Sequence, residues 1–118
     1  MIMIAMVNGR PLADRVELAD TPAKRFFGLM GRGSLRRGQG MLLARCRAIH
    51  CFFMRMPIDA VYLSKEMQVV GVETLAPWRI GRLFRGARHV LELPEGTAEG
   101  IRFGDSLRFQ KDGEPYAP

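Results

Sequence analysis

The stretch Met54-Arg55-Met56-Pro57-Ile58-Asp59-Ala60-Val61-Tyr62-Leu63 decides how the rest of the chain is read. Proline offers no amide to a sheet ladder, so Pro57 ends whatever precedes it, and the β-branched and aromatic run behind it reads as a strand. Side chains alternate across a strand, which sets Asp59 on the face of Val61 and Leu63. That face is expected to be core. A carboxylate there needs hydrogen bonds or a cation, because an unpaired buried charge costs several kcal/mol. Arg25, Arg55 and Arg88 are the candidate cations; the structural alternative is an Asp that accepts backbone amides around Pro57.

Downstream, Ser64-Lys65-Glu66 turns this strand back into a second one over 67–75. Residues 76–87 hold Pro77, Gly81 and Gly86 among Trp78, Leu83, Phe84 and several arginines, and these breakers predict a long irregular loop. Residues 88–93 alternate again as a strand, 94–100 form a turn or a short helical piece, and 106–109 form a last strand. From Gln110 the chain is polar and is expected to fray.

Upstream, Met41-Leu42-Leu43 and Ile49-His50-Cys51-Phe52-Phe53 predict two strands joined through the basic segment 45–47. The opening run from Ile2 to Val7 reaches Asn8-Gly9, a turn dipeptide, and a hairpin return is expected over 15–19, its connection lengthened by 10–14. Thr21-Pro22 supplies a cap and a proline for the first helical position, so a helix is expected over 22–31. Ala23, Phe26, Phe27 and Met30 fall on one face, which is expected to be buried. Burial of the large side chains contributes about 1.5 to 3 kcal/mol each, more than the roughly 1 kcal/mol that Gly28 costs inside a helix. Close approach of another backbone is the expected reason for Gly28, and Gly31 or Gly33 is the expected stop.

The resulting expectation is an α+β fold, a mostly antiparallel sheet curled toward a small barrel with one short helix near residues 22–31. Residues 1–110 form a single β-rich domain and 111–118 a flexible tail. At 118 residues, 47% hydrophobic and 25% charged, the chain fits one globular domain and excludes collagen, coiled coil and wholesale disorder. No run of about 18 apolar residues is present, so no helix is expected to span a membrane. The start lacks the basic segment of a secretory leader, which points to the cytoplasm, or to the periplasm or exterior if a leader has been removed.

A net charge of +6 favours acidic surfaces or polyanions. Arg79, Arg82, Arg85 and Arg88 recur every third residue beside Trp78 and Phe84, a stripe suited to an anion. Two cysteines make no disulfide framework, and Cys46, His50 and Cys51 lack a fourth ligand, so neither metal nor cofactor is expected. On a strand His50 and Cys51 face opposite ways, which excludes a nucleophile and base pair. The leading expectation is an accessory module that holds an anionic small molecule or a protein partner through His50, Met54, Asp59, Glu92, Arg79, Arg82, Arg85 and Arg88. The alternatives are a hydrolase in which His50, Asp59 and Glu92 converge as acid and base, and nucleic-acid binding through the arginine loop.

Three blocks together resemble one known family. The run Thr21-Pro22-Ala23-Lys24-Arg25-Phe26-Phe27-Gly28-Leu29-Met30-Gly31-Arg32 with Gly40-Met41-Leu42-Leu43 resembles the opening signature of the family called domain of unknown function 192. Residues 49–63 resemble its central block, and Val90-Leu91-Glu92-Leu93-Pro94-Glu95-Gly96 with Gly104-Asp105 its closing one. The resemblance implies a β-rich α+β fold and no particular activity. It places Gly28, Leu29, Met30, Met54, Asp59, Glu92, Gly96, Gly104 and Asp105 on the family's motif positions. The resemblance implies a leader in many relatives, which is not expected here, and this chain departs from the pattern in Cys51 where a threonine or similar residue is expected and in having no glycine in the turn at 64–67.

Overall fold

Asn8 and Gly9 both take positive φ, 48° and 80°, the geometry with which a two-residue turn matches the twist of its flanking strands. The hairpin is therefore tight. β1 (Ile2–Val7) pairs with β2 (Arg10–Ala19), so residues 10–14 belong to the strand and do not lengthen the connection. In the computed structural model, which describes residues 1–30 and 32–118, these are followed by α1 (Pro22–Phe27), β3 (Gln39–Leu43), β4 (Ile58–Leu63), β5 (Val69–Leu75), β6 (His89–Pro94), β7 (Leu107–Lys111) and β8 (Glu114–Tyr116).

The strands form one sheet in the order β5-β4-β6-β3-β2-β1-β7-β8. Among the described residues every ladder is antiparallel except β2 with β3. The expected barrel is not reached, because β5 and β8 remain as edges and the sheet does not close. It does curl: Val69 N–H donates to Asp105 O at 2.8 Å and Leu107 N–H to Met67 O at 2.9 Å, bringing the chain beside β5 against the chain beside β7. No described helix is long and apolar enough to cross a membrane.

Both faces of the sheet are covered, and this is why β4 is buried at all six positions. Inside the curl Val61 and Leu63 meet Met3, Val16, Leu42, Leu91 and Phe109. On the other face Ile58, Ala60 and Tyr62 meet Met41, Leu43, Val90, Leu29, Ile49 and Met54. The second cluster is roofed by chain without regular structure. Residues 49–53, expected as a strand, contribute only the isolated bridge of His50 with Ile80. Cys51 O accepts Trp78 N–H at 2.6 Å, and Phe53, at φ 62°, turns the chain away from a strand path.

The helix is shorter than its pattern predicts. Thr21 Oγ1 accepts Lys24 N–H at 3.2 Å, and Pro22 opens the first turn, as the sequence implies. Gly28 then ends it at φ 43°, ψ −120°, a conformation that side chains oppose. A Cβ on Gly28 would lie no closer than 3.7 Å to another atom, so backbone angle and not close approach is what requires glycine. The expected buried face is corrected as well: no α1 residue is buried, and Phe26 and Phe27 are each 59% exposed. Leu29, just past the helix, is the anchor at 2%. Of the two expected stops, Gly31 lies outside the described residues and Gly33 falls after the end.

The expected frayed tail is also corrected. Asp112 and Gly113 take positive φ, 53° and 80°, and turn β7 into β8, whose Tyr116 packs on the inner core.

Candidate functional site

Asp59 and Glu92 sit one residue out of register across β4 and β6. Ala60 pairs with Glu92, and Asp59 with Leu93. Directly opposed residues share a face, so the two carboxyl groups lie on opposite sides of the sheet. The expected convergence of His50, Asp59 and Glu92 is therefore not present, and the hydrolase built on it falls.

Asp59 is 4% exposed in the inner core. Its Oδ2 accepts the amides of Gly96 and Ala98 at 2.9 Å each, and its Oδ1 accepts the Thr74 hydroxyl at 2.8 Å. No described guanidinium reaches it. The carboxylate clips the 95–98 turn onto β4, so neutralisation comes from amides, as in the structural alternative, although from the turn after β6 and not from around Pro57.

Glu92 lies on the other face, 3% exposed. Gly28, Leu29, Met30, Met54 and His50 line a narrow cavity of about 30 Å³ with it, walled further by Phe26 and Phe27. Burial pushes the Glu92 carboxyl up to about 8, so at neutral pH it is mostly protonated and has a proton to donate. His50 Nδ1 accepts Phe52 N–H at 3.2 Å, which leaves the proton of the neutral ring on Nε2. The cavity admits a group the size of a water or one side-chain tip. Five of the nine motif positions named above meet around it. The other four hold turns: Asp59 accepts Gly96 N–H, and Gly104 N–H donates to Val69 O at 2.8 Å while Asp105 Oδ2 accepts Arg102 N–H at 2.9 Å.

From Phe26, Phe27 and His50 in the cavity wall the rings continue as a chain. Phe27 meets Phe26 with centroids 5.4 Å apart, Phe26 meets His50 at 5.3 Å, His50 meets Phe52 at 5.0 Å, Phe52 meets Trp78 at 6.0 Å and Trp78 meets Phe53 at 4.7 Å. Phe53 and Trp78 are 57% and 58% exposed and both take positive φ, 62° and 67°, a strained backbone for bulky residues. Ile80 and Leu83 in the same loop are 68% and 78% exposed. The loop is pinned from beneath. Gly81 N–H donates to Ile49 O at 2.9 Å, and a Cβ on Gly81 would lie 2.4 Å from the Tyr62 hydroxyl, so only glycine fits.

The arginine stripe divides. Arg85 and Arg88 border a wide groove of about 760 Å³ together with Arg47 and Lys65. Arg82 instead turns its guanidinium over the Phe84 ring at 5.3 Å, and its amide donates to Glu73 at 2.8 Å. Arg79 is exposed, and its carbonyl accepts Cys51 N–H at 2.7 Å, tying the loop to the 48–54 segment. Buried His89 feels the same field: burial first, then Arg88 and Arg45, hold its pKa below the ordinary value. Burial pushes the Cys51 thiol up to about 12 and the Cys46 thiol upward too, which disfavours the thiolate at both.

Sequence reasoning missed the aromatic face because the helical period of Phe26 and Phe27 reads as core. One signal was available. Segments 21–30, 45–56 and 76–88 hold half of the chain's eighteen Lys and Arg and none of its twelve Asp and Glu. The contacts above bring these three segments together.

An open, curled eight-stranded sheet, roofed on one face by a six-residue helix and loops around a buried glutamate, defines a β-rich α+β class with an aromatic, basic site. The same fold occurs in a crystal structure of a protein of unknown function from Novosphingobium aromaticivorans, with a TM-score of 0.80 at 23% identity, covering 91% of this chain and 83% of that one. The chain belongs to the family described as Uncharacterized ACR, domain of unknown function 192 (DUF192), which it matches over residues 3–109. It is similar to UPF0127 proteins of Pyrococcus abyssi, at 41% identity over 80% of this chain and 86% of the relative, and of Thermococcus sibiricus, at 31% over 98% and 79%.

Proposed function

We propose that this protein is a binding module whose aromatic, basic face takes up an acidic segment of a partner protein that also carries apolar side chains. The observation that carries this reading is the charge asymmetry: three segments rich in cations, without a single carboxylate, carry the stacked and solvent-facing rings. Exposed apolar patches rimmed by charge mark interaction surfaces, and rigid aromatic anchors beside arginines are the usual hot-spot residues. Strain at Phe53 and Trp78 supports the same reading, because folding alone gives no reason to hold two large rings outward at positive φ. Ile80 and Leu83 offer no ring on which a base could stack, and this favours a protein over single-stranded nucleic acid. The Glu92 cavity, walled by Phe26, Phe27 and His50, has room for the tip of one partner side chain.

Trp78 is the only tryptophan and lies within the patch, so its emission reports occupancy. The probe is a random copolymer of glutamate and tyrosine, with polyglutamate and oligothymidylate as comparisons. The expected result is a saturable change in emission with the copolymer, weakened about tenfold or more between 50 and 300 mM salt. The double variant Phe26→Ala/Phe53→Ala is expected to weaken it by a further factor of about ten. Unchanged emission would overturn the reading. Tighter binding of the oligonucleotide would replace the protein partner with nucleic acid.

A further inference from the structure

Phe27 and Gly28 border a second cavity, of about 410 Å³, between α1 and the β1, β2 and β3 strands. Leu18, Ala19 and Met41, all buried, make an apolar floor, and Ile2 and Phe27, more than half exposed, form its rim. Two apolar rim residues left in water beside an apolar floor are the pattern of a small-molecule site and not of a surface that folding needs. Three charged side chains border it: Glu17, Lys24 and Arg32. Arg32 Nη2 holds Glu17 Oε2 at 2.6 Å, so these two neutralise each other, and Lys24 has no carboxylate partner among the described residues. Lys24 is left as the unpaired side-chain cation at the edge of a greasy groove.

We propose that this cavity binds a small amphiphilic carboxylate, its hydrocarbon part against Leu18, Ala19 and Met41 and its head group toward Lys24. At about 30 Å³ for each water-sized group the chamber holds about a dozen non-hydrogen atoms, which suits a medium-length acyl chain or a substituted aromatic acid. The hydrophobic term supplies most of the affinity and Lys24 the preference among head groups, since an exposed ion pair changes affinity by only about fivefold. This cavity is distinct from the one at Glu92; it shares Lys24, Phe27 and Gly28 with the proposed partner surface, whereas its floor of Leu18, Ala19 and Met41 lies outside that surface.

The test uses the whole protein carrying carbon-13 in its methionine methyl groups, titrated with octanoate and separately with octylammonium, each below its micelle threshold. Octanoate is expected to shift the Met1 and Met41 signals saturably and to leave Met54 and Met67 in place. Octylammonium is expected to bind about fivefold more weakly or less tightly still. Ala23→Phe fills the cavity from an exposed helical position, and its expected effect is a loss of octanoate affinity of about fivefold or more at unchanged thermal midpoint. Lys24→Glu, which leaves the floor intact, is expected to reverse the preference between the two head groups. Equal affinity for both head groups, signals that never saturate, or octanoate binding indifferent to both substitutions would each overturn the proposal.

Discussion

The two buried carboxyl groups show how one residue of register assigns opposite roles. Asp59 accepts three hydrogen bonds, two of them from the amides of Gly96 and Ala98, and its removal strands those donors in the inner core. Asp59→Ala is expected to cost roughly 3 to 5 kcal/mol in urea unfolding. Asp59→Asn is expected to cost only about 1 to 2 kcal/mol, because an amide can turn its oxygen to the two N–H groups and its nitrogen to Thr74. Similar losses for the two variants would show that more than hydrogen bonding is at stake. Glu92 behaves in the opposite sense. Its folded pKa, raised from the ordinary 4.5 to about 8, means that the folded chain keeps a proton that the unfolded chain releases. Glu92 therefore weakens the fold progressively as pH rises from about 4.5 to 8, at full cost above that range and at none below it. Glu92→Gln is expected to be more stable than the natural protein by roughly 2 to 4 kcal/mol at pH 9, with the two unfolding curves converging near pH 4. Parallel curves at every pH would mean that the carboxyl does not titrate across this interval.

At the scale of elements, α1 is the instructive case. Its cap and its proline are local chemistry, and both were legible: Thr21 caps and Pro22 opens the helix. Its length and its buried face were not. The periodicity of Ala23, Phe26, Phe27 and Met30 describes an amphipathic helix, but Gly28 stops the helix before that face can settle, and the next residue, Leu29, enters the core in its place. Phe26→Ala and Phe27→Ala are accordingly expected to change stability by less than about 1 kcal/mol each, whereas Leu29→Ala costs roughly 2 to 4 kcal/mol. Thermal or denaturant midpoints separate these outcomes, and a large loss at either phenylalanine would return the helix to the core. The 49–53 segment fails as a strand for a comparable reason. Its apolar content is real, since Ile49 and Cys51 are buried, but its hydrogen bonds go to the 78–81 loop and not to a neighbouring strand.

Across the whole molecule, the sheet remains open, and what protects its ends matters. β8 covers the outer edge of β7 and places Tyr116 on the inner core, so a chain ending at Lys111 is expected to lose roughly 1 to 3 kcal/mol and to associate through the bared strand. Unfolding by urea together with light scattering checks this; a truncated chain that stays monomeric and equally stable would restore the frayed-tail reading. The Asp112-Gly113 dipeptide is the kind of turn signal that marked Asn8-Gly9, and its neighbours were misread only because a polar chain end looks like a tail. What the sequence by itself determined is whatever depends on neighbours along the chain: the strand after Pro57, the Asn8-Gly9 turn, the helix start and the irregular loop over 76–87. The burial of Asp59 was determined in the same way, through strand alternation. Tertiary structure alone decided which carboxyl group faces which core, because a one-residue offset between β4 and β6 leaves no trace in either strand's own pattern. It also decided that the phenylalanines of α1 face water. A hydrophobic period states which residues can be buried together, and only the space left by the other elements determines whether they are.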